Sequence, residues 1–457
     1  MPPDSEPLYT ADEMRAAEAG HETAVLMERA GALAAEAGLQ EMHGLDRWTV
    51  VVGGGANGGD GRIMARHLEA KGKDVRVVDA KARETDLGDA DVIVDALFGT
   101  GFGGEPRPDA AALIERINAH PAKVFSIDVP SGVDASTGEV PGAAVDADAT
   151  VTFHGRKVGI IVAPGRFHAG RVHVADIGLE PRRTTVQLVL PGLLRRVPRR
   201  SERDNKYTAG HVLVVGGSPG LTGAPSLTAG AAMRADAGYV TVAARESSLP
   251  VLEERLVEAV KKPLPEALGD AAADAVLELA QKASAVALGP GLGRDDGART
   301  LVRRLLAEIE LPMVVDADAL FELEPVAWGG PRVLTPHEGE LGRLLGRNDV
   351  AAHRLAAVRE AAERFGCVVL LKGADTLVAG PGRDVLVSAC GLPSLATAGT
   401  GDVLTGIVAA FLAKGLEPQL AAAAAAVAHQ RASVEATQRS GLVAGDLLDS
   451  LPRALDR

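Results

Sequence analysis

The 457-residue sequence predicts two α/β domains in series, each a doubly wound, mostly parallel sheet. Three observations carry this expectation. Short apolar runs alternate with helical patterns, several of those runs end in glycine-rich turns that open a helix, and the alternation halts near residue 190 and starts afresh. The length also exceeds one ordinary domain.

In the first half the strand candidates are "WTVVVGGG", "DVRVVDA", "DVIVDALFG", "KVFSIDVPSG", "DATVTFHG" and "RVHVADIG", with helices such as "GDGRIMARHLEAKG" and "DAAALIERINAH" between them. These define a domain over 1–190, in which ligands are expected at the carboxyl ends of the strands. "PRRTTVQLVLPGLLRRVPRRS" then carries six arginines and two internal prolines. Its part over 191–203 reads as a solvated linker, with an anion-binding arm as the alternative. The pattern restarts with "AGHVLVVGGSPG", "GYVTVAA", "SAVALGPGLG", "PMVVDADAL", "RVLTPHEGE" and "CVVLLKGADTLVAG", giving a second domain over 204–457. "LAAAAAAVAH" has high helix propensity and reads as a packed helix.

Apolar residues make up 46% of the chain, yet no run approaches the roughly 18 residues of a membrane span. The start, "MPPDSEPLYTADEMRAAEAG", is acidic and has no apolar h-region, so a cytoplasmic protein is expected. Two cysteines, Cys367 and Cys390, make neither a disulfide framework nor a zinc site and are expected to be buried. A net charge of −13 argues against nucleic-acid binding.

The loop in "VVGGGANGGDGRIMARHL" poses the first functional choice. Gly53, Gly55 and Gly58 satisfy G-x-G-x-x-G on a Rossmann-like frame, and Asp79 stands where a ribose-binding acid would sit in a dehydrogenase. Asp60 opposes that reading, because an acid in the first helical turn repels a pyrophosphate. Asn57, Asp95, Asp128 and Ser131 instead place oxygen ligands at several strand ends, which suits a hard cation; the lesser alternative is that Asp95 and Asp128 merely cap their loops.

The second half carries its most specific signal in "ATAGTGDVLTGIVAAFLAKG". Glycines 399 and 401 let backbone N–H groups converge where a helix begins near Asp402, which makes an anion hole. An acid there suits a base acting on an attacking hydroxyl, and hence phosphoryl transfer; the alternative is a glycine turn with Asp402 as helix cap.

"GSPGLTGAPSLTAGAA", "LGPGLGR", "TPHEGE", "KGADTLV" and "AGTGD" in this order resemble the ribokinase-like superfamily, and within it the ADP- or ATP-dependent NAD(P)H-hydrate dehydratases. The resemblance covers about residues 204–457 and implies a ribokinase-like α/β/α domain. It implies that Lys372, Gly373, Ala374, Asp375, Thr376 and Gly401 hold the nucleotide, and that Ala224, Gly293, His337 and Asp402 line the hydrate site. "YTADEMRAAEA", "LMERAG", "NGGDG", "DALFGTG", "IDVPSG" and "GRKVG" are similar to the NAD(P)H-hydrate epimerase family over about residues 8–190. That likeness implies potassium on Asn57, Asp95 and Ser131. Hydrate contacts would come from Ala56, Asn57, Gly58, Gly59 and Asp60, from Gly99, Thr100, Gly101, Phe102, Gly103, Gly104 and Glu105, and from Asp128. Lys157 falls where that family often has a lysine, whereas Ala56 replaces the first of two usual asparagines. Losing one neutral hydrogen bond costs about 0.5–1.5 kcal/mol, which weakens binding without abolishing activity.

Together the resemblances imply a bifunctional metabolite-repair enzyme acting on hydrated NADH and NADPH. Asp128 would serve as acid/base in epimerisation of the R and S forms, and Asp402 as base in nucleotide-dependent dehydration of the S form, with potassium, magnesium and ADP or ATP. The expected partners are small molecules, with no nucleic acid and no membrane. The dehydratase family often assembles, so a homo-oligomer is possible, but nothing in the sequence marks an interface. Competing readings are a kinase releasing a stable phosphorylated product, and a first domain that only binds.

Overall fold

The computed structural model describes residues 4–81, 86–389, 391–438 and 440–456. It divides into two compact units, one of Pro7–Gln187 with Ala351–Ala356, the other of Leu188–Val350 and Ala357–Arg457 with Met1–Glu6. In chain order the first elements are β1 (Ser5–Leu8), α1 (Ala11–Glu18), α2 (Thr23–Glu41), β2 (Arg47–Val52), α3 (Ala56–Ala70), β3 (Asp74–Asp79), β4 (Val92–Ala96), α4 (Pro108–Ala119), β5 (Lys123–Ile127), β6 (Ala149–Phe153) and β7 (Arg171–Ala175).

The smaller unit is the doubly wound sheet that the alternation predicts. Its six strands run in the order β3-β2-β4-β5-β6-β7, all neighbours parallel, and each of the six strand candidates supplies one. Both faces are covered, so the central strands read as unbroken apolar runs. Val50, Val52, Val92 and Val94 pack with Ala34 of α2 and Met64 and Leu68 of α3, while Val51 and Ile93 turn to Ile114 and Ile117 of α4. The period of two along each strand thus feeds two separate cores.

The remaining elements are β8 (Val186–Val189), β9 (His211–Val215), α5 (Gly223–Arg234), β10 (Tyr239–Arg245), α6 (Leu249–Arg255), β11 (Val260–Leu264), α7 (Asp270–Ala280), β12 (Ala285–Leu288), α8 (Asp296–Glu308), β13 (Met313–Val315), β14 (Arg332–Leu334), α9 (Glu338–Leu345), α10 (Arg354–Phe365), β15 (Val368–Leu371), β16 (Thr376–Ala379), β17 (Val385–Ser388), α11 (Thr400–Ala413), α12 (Pro418–Glu435) and α13 (Ala444–Leu455). The larger sheet has the order β1-β8-β17-β16-β15-β14-β13-β12-β9-β10-β11. It is parallel from β15 to β11 and antiparallel at β15/β16 and β16/β17. "CVVLLKGADTLVAG", expected as one strand, is a hairpin, because the turn "KGAD" reverses the chain. The alanine-rich α12 is packed on nearly all sides, which its small side chains permit.

One expectation is corrected. The 191–203 stretch, expected as a solvated linker, is so only in part: β8 leads into it as a sheet strand and the 3-10 turn Pro191–Arg196 buries Leu193 and Leu194, while residues 198–203 are exposed. Its arginines are tied down, Arg195 and Arg196 to Asp4, Arg199 to the Leu455 carbonyl and Arg200 to Asp236. Alternating apolar residues in "TVQLVLPGLL" outweigh the flanking charges. Cys367 is buried as expected, and Cys390 lies outside the described residues. Among the described residues no helix is long and apolar enough to cross a membrane.

Candidate active sites

In the smaller unit a cavity of about 530 Å³ opens at the carboxyl ends of β2, β4 and β5. The α3 helix starts beside it because Gly58 lets the turn close on itself: a Cβ there would lie 2.0 Å from the Gly53 carbonyl oxygen. Asp128 follows β5 with φ of +69°, a left-handed conformation uncommon outside glycine, and its side chain faces the cavity. Its Oδ1 pairs with Lys157 Nζ at 2.8 Å, and its Oδ2 accepts from Thr100 N at 2.9 Å and Thr100 Oγ1 at 2.8 Å. Lys157 is 1% exposed and also donates to Thr152 Oγ1 and the Phe153 carbonyl.

Two carboxyl groups in this cavity are driven apart. Burial pushes Asp128 up, but the Lys157 ammonium and the Thr100 bonds outweigh it and hold the carboxyl below its ordinary range. Asp60, on α3, is pushed up to about 8 by burial and by the charges of Asp128 and Glu18. Glu18 is raised too, first by burial and then by Asp128. The repulsion argued from the sequence therefore needs correction: at neutral pH Asp60 is largely protonated and is a hydrogen-bond donor. Asp79, the would-be ribose ligand, is instead a surface partner of Arg62 at 2.7 Å.

Asn57 supplies the observation that bears on a cation. Its Nδ2 donates to the Phe98 and Ile127 carbonyls at 2.7 and 3.1 Å, while its Oδ1 is buried with no hydrogen-bond partner among the described residues. A buried orphan acceptor fits a monovalent cation such as potassium. Asp95, expected as a potassium ligand, is fully buried at the end of β4. Its oxygens already accept from Ser126 Oγ, Ser131 N, Ser131 Oγ and Leu97 N, which uses the roughly four lone-pair sites of a carboxylate. Burial raises Asp95 despite those bonds.

In the larger unit Gly399 caps α11 with φ of +89°, and Thr400, Gly401 and Asp402 form its first turn. A Cβ on Gly399 would lie 2.7 Å from Leu227 Cδ1, so glycine answers both the backbone and the packing. Asp402 is pushed up to about 7, chiefly by burial and by Asp316, against the opposing pull of Lys372. Lys372 Nζ lies 2.8 Å from Asp316 Oδ1, and Thr405 Oγ1 donates to Asp316 Oδ2 at 2.5 Å. Burial alone would lower the Lys372 ammonium, but Asp316 and Glu340 keep it above its ordinary value. The arrangement is a carboxyl poised near neutrality at an amide-rich helix start, with one locked cation beside it.

Residues 212–456 match the family model described as NAD(P)H-hydrate dehydratase, and residues 23–88 and 78–159 match that of the YjeF-related protein N-terminus. The chain is 39% identical to the bifunctional NAD(P)H-hydrate repair enzyme Nnr of Moorella thermoacetica, covering 94% of this chain and 92% of that protein. It belongs to the bifunctional NAD(P)H-hydrate repair enzyme family. The Escherichia coli K12 member is 34% identical over 94% of this chain and 89% of its own length. Among solved structures, the Bacillus subtilis ADP/ATP-dependent NAD(P)H-hydrate dehydratase co-crystallised with ATP/Mg2+ is 29% identical with a TM-score of 0.51, covering 58% of this chain and 96% of that one.

Within this repair-enzyme frame the site residues expected from sequence fall unevenly. Ala56, Asn57, Asp60, Gly99, Thr100, Gly101, Phe102, Gly103 and Asp128 line the first cavity; Gly58, Gly59, Gly104, Glu105, Asp95 and Ser131 do not. Gly104 and Glu105 are exposed beyond it, and Gly59 packs on Met27. In the larger unit Gly373 and Ala374 are exposed on the β15–β16 turn, whereas Asp375 is fully buried and Thr376 opens β16, so the outward face of that turn is backbone. Ala224 lies in the first turn of α5, and Gly293 donates its N–H to Asp318 Oδ2 at 3.0 Å. His337 caps α9, its Nδ1 accepting from Gly339 and Glu340 N–H, while its Nε2 lies 3.5 Å from the Glu340 carboxylate that closes the capping box. Sequence reasoning missed Glu18, Asp316 and Asp318. The last two stand in "VVDADAL" just past β13, where an acid at the end of a parallel strand is itself the signal.

Proposed function

We propose that the smaller unit interconverts the R and S epimers of NADH and NADPH hydrated at C6, and that the larger unit dehydrates the S form at the expense of ADP or ATP. The observation that carries the reading is Asp402, a buried carboxyl with a pKa of about 7 at the amide-rich start of α11, next to Lys372. In the larger unit Asp402 takes the proton of the C6 hydroxyl while that oxygen bonds to the terminal phosphorus, whose bond to the bridging oxygen breaks. The amides of Gly399 to Gly401 and Lys372 stabilise the phosphoryl oxygens. The C6–O bond then breaks, the departing phosphate takes the proton from C5, and the ring double bond returns. Magnesium, when bound, neutralises charge on the transferring group.

For the epimerase half the support is the opposite protonation of Asp60 and Asp128 in one cavity. Asp60 protonates the C6 hydroxyl, which leaves as water as the ring nitrogen lone pair forms a C=N bond; water adds from the other face and gives its proton to Asp128. Asn57 Oδ1, with Ser131 and Asp95 nearby, would hold potassium, which would supply fixed positive charge.

The pH profile tests this pairing. Epimerisation should fall as pH rises through about 8, where Asp60 loses its proton, and Asp60→Asn should lower the rate about 100-fold. Stability moves oppositely. In the unfolded chain Asp60 ionises near 3.8, whereas the fold keeps the proton until about 8, so this group costs stability increasingly as pH rises between those values. Asp60→Asn should therefore raise the melting temperature more at pH 8 than at pH 4.5. A pH-independent effect on both readouts would remove Asp60 as the acid.

A further inference from the structure

A second cavity, of about 380 Å³, begins at Gly293 in the larger unit and runs between α8 and the segment that follows β13. On α8, Arg299, Arg303 and Leu306 recur at helical spacing along the wall, with Val302 beside them. Opposite stand Phe321 and Leu323, and the Arg294 guanidinium lies 4.9 Å from the Phe321 ring centroid. Four of the polar side chains are already committed: Arg294 Nε bonds Asp318 Oδ1 at 2.7 Å, Asp318 Oδ2 takes the Gly293 N–H, and Arg299 pairs with Glu322 at 3.3 Å. Arg303 differs. It is exposed at the cavity wall and makes no ion pair or hydrogen bond among the described residues.

An aliphatic slot with a guanidinium-on-ring stack at one end suits a flat heteroaromatic base, and an uncommitted arginine beside it suits phosphate. Both the hydrate and the nucleotide carry adenosine, so the side of the sheet decides between them. The cavity lies past β12 and β13, whereas the turn with Gly373 and Ala374 follows β15, and β14 separates the two. Asp318, which holds Gly293 and Arg294, also acts electrostatically on Asp402, so the cavity adjoins the reacting centre. We infer that this cavity receives the adenosine end of the hydrated dinucleotide, with Arg303 facing the ribose 2′-phosphate that distinguishes the NADPH hydrate from the NADH hydrate. The inference rests on the dehydratase reading above.

Arg303→Ala tests it in the full-length protein, with purified S hydrates of NADH and NADPH and saturating nucleotide. The KM for the NADPH hydrate should rise about tenfold, as loss of one charge-assisted contact predicts. The KM for the NADH hydrate should stay within about twofold, and kcat and the nucleotide KM should not move. Equal shifts for the two hydrates, or no shift, would overturn the assignment, and a raised nucleotide KM would place the nucleotide's adenosine there instead. The hydrate of reduced nicotinamide mononucleotide, which lacks adenosine, should not distinguish Arg303→Ala from the parent; a difference would also overturn it. Failure of the unaltered protein to dehydrate any S hydrate would instead remove the dehydratase reading.

Discussion

Replacing Asp402 by Asn is expected to lower dehydration of the S hydrate by about a thousandfold, within the range that a positioned general base supplies. The carboxyl is held near neutrality by burial and by Asp316, so in the unaltered protein the dehydration rate should climb as pH rises through about 7 and then level off. Asparagine keeps the shape and the first turn of α11 but cannot take the proton. Its effect on stability has the opposite sign. The unfolded chain ionises this acid near 3.8 and the folded chain near 7, so the group costs stability as pH rises across that interval. The variant should melt at or above the parent temperature at pH 8, and R/S interconversion should be unchanged. Retention of more than a tenth of the dehydration rate would exclude Asp402 as the base.

Lys157→Met carries the second large effect. It removes the ammonium 2.8 Å from Asp128 and leaves a buried carboxylate without its charge partner, a loss of about 3–5 kcal/mol in comparable buried pairs. Asp128 is depressed in the fold, so its contribution to stability is present above its unfolded pKa near 3.8 and is lost as pH falls through its lower folded value. Without Lys157, burial prevails and that dependence inverts: the variant should lose stability as pH rises. Epimerisation should drop by at least about 100-fold. Dehydration of pure S hydrate should stay near the parent rate, because Asp402 and Lys372 belong to the other unit. Adding Asp128→Asn should restore much of the stability but none of the epimerase activity. A Lys157→Met protein as stable as its parent at pH 7 would contradict the paired-charge account.

These residues also show where the sequence was legible. The six parallel strands of the smaller sheet could be read because strands covered on both faces carry continuous apolar runs. Asp402 was legible because glycines 399 and 401 mark a backbone that must approach an anion. Asp316 was not, since its role depends on Lys372 and Thr405, which lie 56 and 89 residues away in the chain. Asp60 was recognised as decisive but assigned the wrong charge, because protonation is set by a burial that spacing cannot reveal. The strand β8 was obscured by neighbouring arginines, whose partners Asp4 and Asp236 are distant in sequence. Local pattern thus located the elements and their glycine turns, and long-range neighbours fixed what the charged groups do.

The central claim is that one chain completes both steps of repair despite Ala56. A mixed pool of R and S hydrates of NADH, given to the full-length protein with potassium, magnesium and either ADP or ATP, tests it by the return of dihydronicotinamide absorbance in the near ultraviolet. Recovery of the whole pool in one continuous phase is the predicted result. Recovery that slows to the spontaneous epimerisation rate once the S form is consumed would contradict the epimerase half, and no recovery with either nucleotide would contradict the whole account.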